Sequence, residues 1–170
     1  MKIIEAMKRV KRNEEKIAEL QALIANNCAK LSTEPSSYDN PGKKVKEWLQ
    51  SCTDLTQECV KLLIDIQRTN LATSVTIEIA GKSVTKTIAE WVWRRRKYAE
   101  LDRATWTKLT DRNLRGGVVQ PTPNSTPISV NVERFFDAEE RDTRVSMYRE
   151  EPGLIDAALE VVNATTEIVE

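Results

Sequence analysis

The chain has 170 residues and no net charge, with 26 Lys/Arg against 26 Asp/Glu; 31% of it is charged and only 5% aromatic. That composition belongs to extended helices rather than a β-sandwich, and the length fits one domain. Neutrality leaves no global field to recruit nucleic acid or an anionic membrane, and the absence of histidine removes Ser-His-Asp and Cys-His nucleophiles, His-ligated zinc and the Glu-x-x-His motif of di-iron bundles.

The first periodic segment reads Ile3, Ala6, Val10, Asn13, Ile17, Leu20, Ile24, Asn27, Leu31. Its alternating steps of three and four predict a helix over 2–31 with a coiled-coil-like seam. Asn13 and Asn27 stand where apolar residues belong. They cost stability but fix register, either inside the chain or in self-association. Pro, Gly, Ser and Asn then gather in STEPSSYDNPG as a loop. Val45, Trp48, Cys52, Leu55, Cys59, Leu62, Ile66 and Thr69 carry a second helix over 43–70, antiparallel to the first. No Cys-x-x-Cys is present, and Cys28, Cys52 and Cys59 lie on or beside the stripes. They are expected as buried free thiols.

Residues 74–87 alternate Val75, Ile77, Ile79 with polar side chains, and Gly81-Lys82 can turn the chain. A β-hairpin inserted between helices two and three follows. The third helix, 88–114, contains WVWRRRKY at 91–98 and ends before Gly116-Gly117; a Pro-rich loop covers 116–127, and ISVNVERFF after it is a candidate short strand. The last helix, 137–163, carries Val145, Tyr148, Pro152, Ile155, Leu159 and Val162. Its heptad phase passes through Pro152, so a kinked but continuous axis is expected. In chain order this makes a mainly α, elongated antiparallel four-helix bundle with coiled-coil-like packing and a small β-hairpin.

Trp91, Trp93, Arg94, Arg95 and Arg96 are the candidate nucleic-acid residues, because phosphates need cations and unpaired bases stack on rings. Consecutive helical residues diverge by about 100°, so a solvated or ion-paired face is the competing reading. Arg95, on the apolar stripe, is expected to meet Asp102 or an acid of the last helix. Segment 86–115 carries nine Lys/Arg against four Asp/Glu, and 131–170 four against eleven, so the two are expected to neutralise each other. The acid pairs Glu139/Glu140 and Glu150/Glu151 read as surface acid. Asn70 in IQRTNLAT (66–73) and Asn163 in LEVVNATT (159–166) are expected to end two helices in the left-handed conformation and to brace the hairpin.

The ordered set MKIIEAM, IQRTNLAT, a hairpin leading to TIAEW and RRRKY, and a terminal NATTEI resembles the septicolysin-like family of small bacterial and phage proteins. The resemblance implies a helical bundle carrying a small β-element and supplies no catalytic residues. With no apolar run of about 20 residues and no signal-peptide core, a cytoplasmic protein is expected, or a virion protein if phage-borne. No catalytic group, metal, cofactor or small-molecule substrate is expected. The function these readings imply is non-enzymatic assembly through helix packing, as a homo-oligomer or within a larger complex such as a phage-derived particle. A nucleic-acid-binding module is the alternative.

Overall fold

The computed structural model describes residues 1–169. In order these form α1 (Ile3–Asn27), α2 (Pro41–Ala72), β1 (Ser74–Ile79), β2 (Lys82–Thr87), α3 (Ile88–Trp93), a π-helical turn (Arg94–Tyr98), α4 (Ala99–Thr107), β3 (Gly117–Val119), β4 (Ile128–Val130) and α5 (Ala138–Thr165). The protein is mainly helical, with β1 and β2 as a small antiparallel hairpin. It comprises two compact units, one of Met1–Val75, Thr87–Ala89 and the chain from Leu159, the other of Thr76–Lys86 and Glu90–Ala158.

The first unit is organised by the α1–α2 hairpin. Glu5 accepts the Lys2 N–H (2.9 Å) at the start of α1. Asn40 Oδ1 accepts the Lys43 N–H (3.0 Å) beside Pro41 at the start of α2. The expected seam is buried on α1 at Ile3, Ala6, Val10, Asn13 and Leu20, and on α2 at Cys59, Leu62, Ile66 and Thr69. Asn13 Nδ2 donates to Glu58 Oε2 (3.1 Å), Arg9 pairs with Glu58, and the Cys59 thiol lies 3.9 Å from the Val10 carbonyl. Asn13 thus finds its partner within the chain. Between Gln21 and Glu58 no residue is buried. That stretch is a two-helix arm whose connecting segment is held by Tyr38 edge-on to Trp48, 5.4 Å between ring centres.

Several details differ from expectation. α1 stops at Asn27, whose amide donates to the Leu23 carbonyl (2.7 Å) of its own last turn; Asn27 is a helix-end residue, not a seam residue. Cys28 beyond it is exposed and Cys52 half-buried, leaving only Cys59 as a buried thiol. Asn70 and Asn163 lie inside α2 and α5, and the non-glycine residues with positive φ are Ala80, Arg112 and Asn113. No left-handed residue is needed at the end of α2. Thr73 is already extended there (φ −94°, ψ 121°), and its carbonyl accepts the Ile88 N–H (3.0 Å). Asn70 Oδ1 is buried without a hydrogen-bond partner.

The residue of the octet that organises the first unit is Thr69, fully buried. Its hydroxyl donates to the Asp65 carbonyl (2.7 Å) and accepts the Val169 N–H (2.9 Å). The tail reaches it by running antiparallel to the N-terminal segment, with Ile3 N–H to the Thr166 carbonyl (3.0 Å) and Ile168 N–H to the Met1 carbonyl (2.8 Å).

In the second unit the hairpin turns on Ala80-Gly81 (φ 49° and 73°), one residue earlier than expected. Two successive positive φ values define a type I′ turn, which matches strand twist. Ile79 therefore faces Lys82, and the Thr76 and Thr85 hydroxyls lie 2.7 Å apart. α4 ends at Thr107 rather than near 114: the Lys108 N–H donates to the Thr105 carbonyl (3.1 Å) and the Leu109 N–H to the Trp106 carbonyl (3.2 Å), and Arg112 and Asn113 turn left-handed. The left-handed asparagine exists, but it is Asn113. The Pro-rich stretch loops back between β3 and β4 instead of extending, with Gln120 Nε2 donating to the Pro123 and Ser125 carbonyls (3.1 Å each). A Cβ on Gly116 would come 2.9 Å from the Val130 carbonyl oxygen, so this close approach requires glycine. α5 starts with Asp137 Oδ1 accepting the Glu139 N–H (2.8 Å) and continues unbroken through Pro152, as the uninterrupted heptad phase implied.

Thr69→Val keeps the shape but leaves the Val169 N–H without its acceptor. We expect a loss of about 1–2 kcal/mol in urea unfolding, with faster hydrogen exchange at Val169 than in Thr69→Ser, which keeps the hydroxyl.

Candidate functional site

The arginine-rich segment falls on the π-helical turn, closed by the Ala99 N–H to the Arg94 carbonyl. Such a turn carries one extra residue inside a helix and is found mostly at functional or strained places. Here it lets two consecutive arginines reach α5. Arg94 Nε and Nη2 donate to the two Glu151 oxygens (2.5 and 2.9 Å), while Nη1 pairs with Asp102. Arg95 pairs with Asp156, as expected for an acid of the last helix. The Arg94 guanidinium also stacks 5.2 Å over the Tyr148 ring.

Glu151 is only 3% exposed, so it is not surface acid. A buried carboxylate is tolerable only when paired and hydrogen-bonded, and the fork of Arg94 supplies both. The hydrogen bonds that Arg94 donates to Glu151 hold the guanidinium above its ordinary pKa; burial opposes this, and Asp102 adds to it. The basic and acidic segments do neutralise each other inside this unit. Arg134 joins them again, donating to both Asp111 oxygens (2.6 and 2.7 Å), and Arg144 stacks 5.6 Å over Trp106.

The other candidate residues divide. Trp91 is fully buried, with Lys86 Nζ 6.0 Å from its ring, and offers no face for a base. Trp93 is 56% exposed, and Arg96, Lys97 and Tyr98 are exposed as well. Asn13 and Asn27 serve α1, and Asn70 and Asn163 are brought to no common contact. A recess of about 250 Å³ opens between β2, Trp91 and α5, floored by Arg94, Tyr148 and Glu151. Arg94 and Glu151 on its floor are bound to each other, while Lys82 and Lys86 line it from the hairpin. Among the described residues no cluster of three His, Cys, Asp or Glu side chains could hold a metal, and no helix is long and apolar enough to cross a membrane.

Sequence reasoning missed Glu151, Tyr148 and Thr69. The acidic excess of 131–170 announced a partner for the arginines but not which acid. Glu151 sits one position before the stripe residue Pro152, and that adjacency was the available signal.

No protein-family model matches the chain, and no curated protein matches it. Among solved structures, that of a functionally unknown conserved protein from Corynebacterium diphtheriae is similar over 99% of each chain, with 21% identity and a TM-score of 0.56. That likeness shows the fold.

Arg94→Ala leaves Glu151 buried and unpaired. Allowing for the partial exposure of the guanidinium, we expect about 2–4 kcal/mol of destabilisation, with Glu151→Gln in the Arg94→Ala background recovering part of it. The clamp at Asp111 has a sign that can be checked. Hydrogen bonding from Arg134, against a small opposing effect of burial, holds the Asp111 carboxyl below its ordinary value. A depressed folded value means that the clamp stabilises above the unfolded pKa, about 3.9, and fades as pH falls through the folded one. A carboxyl NMR titration should find Asp111 low, and Arg134→Ala should raise it towards the ordinary value, with Arg141 still holding it down in part.

Proposed function

We propose that this is a non-enzymatic assembly protein whose α1–α2 arm completes a four-helix bundle with coiled-coil-like packing by pairing with the arm of a second copy. The observation that carries the reading is the unburied arm. From Gln21 to Glu58 neither helix buries a side chain, although a second apolar row runs along α2 at helical spacing. It consists of Leu49 on the arm and Val60, Leu63, Ile64 and Leu71 just beyond it, all exposed. Gln57, Val60, Lys61 and Ile64 stand at i, i+3, i+4 and i+7 around a trough of about 470 Å³. That is the four-residue hole into which a partner helix inserts a knob. An isolated helix pair has one seam to bury; a row beside that seam serves a further helix. The saturated ion pairs of the π-turn support an architectural reading over a chemical one. A component of a phage-derived particle is the specific form that the family resemblance supports.

Light scattering on the full chain should give a multiple of the 19.3 kDa monomer mass. Leu49→Glu with Val60→Glu should lower it without unfolding the protein, since both side chains are exposed in the single chain. A wild-type monomer that retains no partner in a pull-down defeats the proposal. The nucleic-acid alternative rests on exposed Trp93, Arg96, Lys97 and Tyr98. Retention on single-stranded DNA at low salt, lost on Arg96→Ala with Lys97→Ala, would favour it instead.

A further inference from the structure

The β3–β4 ribbon is folded but covered by nothing. Its register pairs Gly117 with Val130, Val118 with Ser129 and Val119 with Ile128. Opposite residues share a face, so Val119, Ile128 and Val130 lie on one side, with no side chain at Gly117 to cover Val130. Every residue of both strands is exposed. Two strands alone are marginal in water, and three or more with an apolar face are the smallest stable arrangement. Protected edges ordinarily carry charge, proline or a bulge. Neither Gly117–Val119 nor Ile128–Val130 contains a charge or a proline.

We infer that β4 is a self-association edge, joining the β4 of a second copy antiparallel about a two-fold axis at Val130. Three observations single out this occupant. First, the Val130 carbonyl turns towards Gly116. Strand alternation therefore aims the N–H and C=O groups of Ser129 and Asn131 away from β3. Among the described residues these groups make no backbone hydrogen bond outside the ladder. Second, residues 128–132 read Ile-Ser-Val-Asn-Val, a pattern that is its own complement when reversed. Ser129 meets the partner's Asn131, and each such pair exchanges two N–H to C=O bonds. Ile128 meets the partner's Val132, and Val130 meets the partner's Val130, which continues one apolar face across four strands. Third, the flanks do not repel. In this register Glu133 comes opposite the partner's Pro127, while Arg134 is engaged by Asp111. The ribbon lies in the second unit and the arm in the first, so this contact stands independently of the proposed arm pairing.

The test uses full-length single variants. At a two-fold centre the Val130 Cα atoms would lie about 4.5 Å apart as a non-hydrogen-bonded pair, within disulfide range. Val130→Cys should form a disulfide-linked dimer under mild oxidation at least ten times faster than Val118→Cys or the wild type with its three native thiols. Ser129→Pro removes an outward N–H and leaves the ladder to β3 intact; it should lower the particle mass with an unchanged circular dichroism spectrum. Cross-linking of Val130→Cys no faster than that of Val118→Cys overturns the inference. So does a folded Ser129→Pro variant of undiminished mass. If Ser129→Pro leaves the mass unchanged while Leu49→Glu with Val60→Glu lowers it, the edge is wrong and the arm pairing stands; the reverse result separates them the other way.

Discussion

Glu151 is a carboxylate that the second unit keeps almost entirely from water, and the geometry around it follows from that constraint. A buried charge without a counter-charge would cost several kcal/mol. The guanidinium fork of Arg94 answers it, stacked on Tyr148 and held from its far side by Asp102. For Arg94 and Arg95 both to reach α5, the helix that bears them must widen for one turn, and it does so at Arg94–Tyr98. The π-turn is thus explained by what it positions. A chain with so few aromatics has a small apolar core in this unit, chiefly Ile77, Ile79, Trp91, Ala99 and Ile155, and directional polar clamps complete its specification.

The first unit solves a different problem with a single hydroxyl. Thr69 stands where a helix, a strand exit and the chain's tail all bring backbone groups that need partners. Its oxygen closes two of them at once, one as donor and one as acceptor. A threonine in a helix commonly returns its hydroxyl to the carbonyl four residues back. Here the oxygen's remaining acceptor capacity is what the tail uses. The segment after the second octet, rather than that octet itself, reaches the first one, through Val169 and Thr69.

How much of this was legible depends on the range of the interaction. The seam from Ile3 to Leu20 on α1 and from Cys59 to Thr69 on α2, the alternating hairpin and the continuity of α5 through Pro152 are local periodicities, and these stand in the structure as the spacing implied, while the seam between Gln21 and Glu58 is not buried. The helix end at Thr73, the turn on Ala80-Gly81 and the left-handed Asn113 each depend on a choice between neighbouring residues of nearly equal propensity. There ladder geometry and tertiary bonds decide. The candidate site was legible only as a charge balance. Which acid takes Arg94 is fixed by side chains 57 positions apart, and no one-dimensional pattern encodes that separation. Trp91 shows the same limit: its place beside four cations suggested stacking on a ligand, whereas the fold uses it as core.

The arm and the ribbon have a joint consequence. Each is an apolar feature left open within the chain, one on a helical seam and the other on a strand edge, and they belong to different compact units. A surface that pairs with its own copy closes a dimer and stops there. Under the two pairings proposed above every copy would hold two neighbours, and unless the two axes close a ring the product would be an open chain. Growth of that kind needs no catalytic group. On those proposals each surface draws its support from within its own unit, where the Thr69 junction ties the first and the Arg94–Glu151 clamp ties the second.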